Sequence, residues 1–77
     1  MSSEIPVYEI RLRGHLDERR LQHFGGMAMD LLPEGETILR GPVIDQSALH
    51  GILSRIRDMG MPLIEVKCLG PSHEQDP

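Results

Sequence analysis

Residues 36–69, ETILRGPVIDQSALHGILSRIRDMGMPLIEVKCL, read as strand, helix, strand. The helix is the anchor of that reading. Asp45 has the short acceptor side chain that caps a helix start. Leu49, Ile52, Leu53, Ile56 and Met59 then recur at helical spacing on one face, and Gln46, Ser47, His50, Ser54, Arg57 and Asp58 occupy the rest. Ile44 and Leu49 have the spacing of a hydrophobic staple across the cap. Gly60 stands just past the last turn, with Pro62 beyond it. Ahead of the helix, Glu36 to Val43 reads as a strand with Leu39 facing inward and Ile38 and Arg40 outward. Pro42 lies near its end, where a lost ladder donor matters less. After the helix, Leu63 to Leu69 alternates, with Ile64, Val66 and Cys68 inward and Leu63, Glu65, Lys67 and Leu69 outward.

The first half of the chain carries the same punctuation. In Val7 to Arg13, Tyr8, Ile10 and Leu12 alternate with Glu9, Arg11 and Arg13, and Gly14 ends the strand. Asp17 caps a short helix from Glu18 to about Phe24, Leu16 and Leu21 repeat the staple spacing, and Gly25-Gly26 stops it. Met27 to Leu32 reads as a strand, and Pro33-Glu34-Gly35 turns it back as a hairpin. Leu12-Arg13-Gly14 and Leu39-Arg40-Gly41 echo each other, each followed by a capping Asp. Two βαβ halves with matching signals predict an α+β fold, the ferredoxin-like βαββαβ plait. Right-handed crossovers would put strands one and three at the centre of a four-stranded antiparallel sheet with two helices on one face. The expected organisation is an N-terminal extension over residues 1–6, a single domain over 7–69 and a flexible tail over 70–77.

Composition narrows the function classes. The chain has 77 residues, a length that fits one domain, and 39% of them are hydrophobic with one Tyr, one Phe and no Trp. Core packing therefore falls on Leu, Ile and Met. No apolar run is long enough for a membrane span, and Met1-Ser2-Ser3-Glu4 lacks the basic-then-apolar start of a secretory leader. The single cysteine, Cys68, has no partner for an intrachain disulfide or a Cys-rich metal site, and its parity makes it a small buried side chain. These features predict a cytoplasmic protein with no membrane partner.

The formal charge of −4 disfavours binding to phosphate backbones. A nucleic-acid surface would have to use Arg11, Arg13, Arg40 and Lys67 on the open face of the sheet, and that face lacks the exposed aromatics that stack bases. The four histidines, His15, His23, His50 and His73, include no i, i+4 pair of a helical zinc motif. No metal, cofactor or catalytic residue is assigned. His15 and Asp17, next to Arg13 at a strand-to-helix junction, form the one polar cluster suited to a small ligand, in a site between copies.

The pattern GPVxDQxALHGxLxRIRDxGxPL over Gly41 to Leu63, together with Gly14-His15-Leu16-Asp17, resembles a group of short, uncharacterised bacterial proteins, and the likeness runs from Tyr8 to Leu69. The resemblance implies a freestanding small domain and supplies no catalytic residues. Within it, His50, Gly51, Arg55 and Arg57 are not explained by the cap, the apolar stripe or the glycine stop. Glycine inside a helix costs about 1 kcal/mol relative to alanine, which close packing of the helix against the sheet or another copy would account for. Ligand or interface candidates are thus Arg11, Arg13, His15, Asp17, Arg40, His50, Gly51 and Arg55. The expected function is a non-enzymatic protein-interaction or regulatory module, a homodimer or the binder of another protein. The alternative is a small-ligand-binding or enzymatic domain with its site between copies near His15 and Asp17.

Overall fold

A computed structural model describes residues 5–70 of the chain. Of the expected tail over 70–77, Gly70 instead ends the last strand, and residues 71–77, like the first four, lie outside the described part. The order of elements is β1 (Val7–Arg13), a short 3-10 helix (Glu18–Phe24), β2 (Ala28–Leu31), β3 (Glu36–Pro42), α1 (Gln46–Asp58) and β4 (Leu63–Gly70). The strands form one antiparallel sheet in the order β2-β3-β1-β4.

One face of that sheet holds the core. Ile10 and Leu12 of β1 and Leu39 of β3 are fully buried, and Leu16, Phe24, Met27, Val43 and Ile56 close around them. Phe24 comes from the short helix and Ile56 from α1, so both helical segments press on the same apolar face. Tyr8, Leu21, Met29, Leu49, Ile52 and Leu53 surround this cluster as half-buried neighbours.

The helix signals in the sequence correspond to real caps. Asp45 accepts a hydrogen bond from the Ala48 backbone N–H at 2.8 Å. At the other end Gly60 N–H donates to Arg57 O at 2.9 Å and Met61 N–H to Ile56 O at 3.4 Å, with Gly60 at φ +75°. That paired bonding satisfies the last carbonyls and needs a residue free to take positive φ.

Several expectations need correction. The first helical segment is 3-10 throughout rather than α. The tighter winding stacks residues three apart, which aligns Leu21 with Phe24 above the core. Ile44 makes no staple: it is 69% exposed. Ile38, placed on the outward face by its parity, is only 8% exposed, because its register sets it between Arg11 on β1 and Asp30 on β2. Long polar side chains lay their apolar stems over such a neighbour.

β4 departs most from simple alternation. Cys68 lies opposite Tyr8 but Gly70 lies opposite Val7, and Glu65 lies opposite Arg11 but Leu63 lies opposite Leu12. Leu69 and Ile64 are therefore extra residues at two bulges. The second bulge turns Leu63 to the helix-bearing side, contrary to its expected outward parity. Cys68 keeps its expected side, yet it is exposed rather than buried, since β4 is the outermost strand there.

Candidate functional site

The open sheet face carries a lattice of alternating charge. Across the strands, Lys67, Glu9 and Arg40 share one row, and Glu65, Arg11, Ile38 and Asp30 share the next. Arg40 reaches Glu9 Oε1 from Nη2 at 2.9 Å and from Nε at 3.2 Å, and its Nη1 lies 3.8 Å from Asp30. Arg11 Nη1 lies 3.4 Å from Glu36 Oε1 without a hydrogen bond, and both Arg11 Nε and Glu36 Oε1 are buried and unbonded. Exposed pairs of this type contribute little to stability. They do neutralise Arg11 and Arg40, two of the four cations that a phosphate backbone would have to recruit on this face, and a phosphate would have to displace the carboxylates already in place there.

The junction after β1 is tied up in structural bonds. His15 Nε2 donates to the Leu32 carbonyl at 2.8 Å, fastening this loop to the end of the β2 segment. Asp17 caps the short helix, accepting from Arg19 N–H at 2.9 Å and from Arg19 Nη2 at 3.3 Å. The Arg19 backbone N–H is the main reason the Asp17 carboxyl is held below its ordinary pKa, and the Arg19 side chain adds to it. An ionised carboxylate engaged in this way holds no proton to donate near neutral pH. His15 and Asp17 do share a shallow recess of about 290 Å³ with Arg20 and Met59. Arg13 is exposed and does not line it.

The loop over this junction hangs on Thr37, a residue the sequence reading passed over. Thr37 is fully buried on β3. Its hydroxyl accepts from Leu16 N–H at 3.0 Å and donates to the Gly14 carbonyl at 2.6 Å. One polar side chain inside the apolar face thus supplies both missing backbone partners where the chain leaves β1. The only sequence signal was a threonine at an inward strand position.

The unexplained positions of α1 separate from one another. His50 is exposed and lines none of the grooves described here. Gly51 and Arg55 face a groove between α1 and the short helix, about 460 Å³ in volume. A Cβ built on Gly51 would meet nothing within 4 Å, so close packing against the sheet is not what requires this glycine. The glycine that does require its lack of a side chain is Gly41, where a Cβ would stand 2.8 Å from the Met27 Cα and 3.2 Å from the Gly26 carbonyl oxygen. The matching glycines of the internal echo therefore do different work. Gly14 takes φ +100°, whereas Gly41 makes room for a crossing backbone.

The β4 edge is the other exposed feature. Leu63, Ile64 and Leu69 are 47%, 40% and 41% exposed, and Cys68 is exposed between them. No helix is long and apolar enough to cross a membrane among the described residues.

Compared with known families, residues 7–67 match one described as a domain of unknown function, DUF8691. No curated protein and no solved structure matches the chain.

Proposed function

The chain belongs to the DUF8691 family, a domain of unknown function, and we propose that it acts as a self-associating interaction module whose copies join along β4. The supporting observation is the order of residues on that free edge. A two-fold axis normal to the sheet pairs an edge strand antiparallel with its own copy and keeps both helix-bearing faces on one side. One residue then stands opposite itself. Centring on Glu65 or Lys67 would oppose like charges, which destabilises a strand pair. Centring on Val66 sets Glu65 against Lys67, acid with base, between the two bulges, and leaves the apolar Leu63, Ile64, Cys68 and Leu69 flanking that charged pair on both sides.

The strand order and antiparallel neighbours fit a ferredoxin-like plait over residues 7–69, and its β4 edge would extend into one continuous sheet across the pair. Covering Leu63, Ile64 and Leu69 would add the apolar burial that so small a core lacks. The lone thiol of Cys68 suits a reducing cytoplasm. The carboxylates already seated on Arg11 and Arg40 weigh against nucleic acid as the partner.

Light scattering over a concentration series tests the proposal, with a doubled mass expected as concentration rises. Lys67→Glu should return the chain to a monomer, and the exchange Glu65→Lys with Lys67→Glu should restore the pair. Cys68, the only cysteine in the chain, provides a native site for a nitroxide label. In the Val66-centred register the two Cys68 Cα atoms lie about 14 Å apart, four residues along the strands. A strict monomer at high concentration would refute self-association. A dimer with a much longer separation would refute the β4 edge.

A further inference from the structure

The groove between the short helix and α1 has an apolar end and a cationic end. Phe24, Ile44, Ala48 and Ile52 contribute to the apolar part, and Gly51 forms part of its wall. At His23 and Arg55 it meets a smaller recess of about 220 Å³, to which Arg20, Asp58 and Met59 contribute. Three features of this groove have no explanation in the internal packing of the chain.

The first is Gly51. It sits in the middle of α1, where glycine is a poor choice, and no internal contact requires it. Any side chain there would project into open space beside the groove. The second is apolar exposure: Ile44 and Ile5 line the apolar end and remain 69% and 44% exposed. The third is charge. Among the described residues Arg13, Arg20, Arg55, Arg57 and Lys67 form no ion pair, and two of these, Arg20 and Arg55, come together at this recess beside His23. Asp58 is the one carboxylate that lines the recess with them.

From this combination we infer that the groove is a binding site for a small amphiphile, with an apolar body lying along Phe24, Ile44 and Ile52 and an anionic head held by Arg55, His23 and Arg20. The volume of the groove, with His23 and Arg55 among its lining, falls in the range of small-molecule sites, which are mostly apolar with a few fixed polar groups. A guanidinium binds a carboxylate or phosphate through two parallel hydrogen bonds, a geometry that lysine does not offer. The site lies on the helices rather than on the β4 edge, so it stands whether or not copies pair there.

Octanoate is a suitable probe, with octyltrimethylammonium as its cationic counterpart. In a two-dimensional amide NMR titration of the full chain, octanoate should shift the signals of Phe24, Gly51, Ile52 and Arg55. The cationic amphiphile should bind at least tenfold more weakly. Gly51→Leu fills the groove from a solvent-exposed helix position and should reduce octanoate affinity at least tenfold while circular dichroism shows the fold intact. Arg55→Gln should abolish the preference for the anion but leave the apolar contacts. Equal binding of both amphiphiles, undiminished binding to Gly51→Leu, or no shift at these amides would overturn the inference. Shifts at the same amides that track protein concentration without ligand would also overturn it, since a second copy would then be the occupant.

Discussion

Replacing Thr37 with valine keeps the shape of a fully buried side chain and removes its hydroxyl. Two backbone groups lose their partner: the Leu16 N–H, next to a side chain only 3% exposed, and the Gly14 carbonyl, in a partly buried position. A buried polar group left without a hydrogen bond costs about 1–3 kcal/mol. The Leu16 amide takes the upper part of that range, and the Gly14 carbonyl, with more access to water, the lower. The sum is about 2–4 kcal/mol. A chain of this length has a total stability of about 4–12 kcal/mol, so the loss is a large share of it. Small domains have urea m-values of about 1 kcal/mol per molar, so the midpoint should fall by about 2–4 M. Thr37→Ser keeps the hydroxyl and loses one methyl, for about 1 kcal/mol. Both variants belong at one fixed low concentration, because association would raise apparent stability by mass action. A Thr37→Val midpoint equal to the parent's, or a serine variant weaker than the valine one, would refute the assignment of Thr37 as the anchor of this loop.

Three further outcomes follow from other positions. Gly41→Ala places a methyl 2.8 Å from the Met27 Cα and should destabilise by about 1–3 kcal/mol, read in the same urea assay. Gly51→Ala, with no neighbour within 4 Å of the new Cβ, should stabilise by about 1 kcal/mol; a loss would show that Gly51 is needed inside the fold. The folded-state pKa of Asp17 lies below the ordinary 3.8, so its contribution to stability is complete above that value and disappears as pH falls through the folded value. Thermal melts from about pH 5 to about pH 2 should show Asp17→Ala losing that part of the acid dependence, while Asp17→Asn keeps the cap.

What could be read from the sequence was whatever depends on neighbours along the chain. The alternation of Tyr8, Ile10 and Leu12, the Asp45 cap and the Gly60 stop each depend on residues a few positions away, and each appears in the structure. Alternation failed on β4 because a bulge is settled by the partner strand: nothing local to Ile64 or Leu69 marks them as extra residues. Cys68 was misread because parity gives the side of a sheet and not what lies over it. Among the candidate site residues, the odd chemistry of Gly51 within a helix was visible. Its meeting with His23 and Ile44 depends on how α1 packs beside the short helix. Gly41 looked like a repeat of Gly14, and only the crossing of its backbone by Met27 shows the difference.

The two margins of the sheet are unequal. β2 offers four residues, Ala28 to Leu31, whereas β4 offers eight. A protein with two long adhesive edges has no natural limit to its growth and can add copies indefinitely into a fibre. Here the far edge has half the length of β4, too short to serve as an equal second template. Joining through β4 would consume the one usable edge, so the assembly would finish at two copies and leave no growing end.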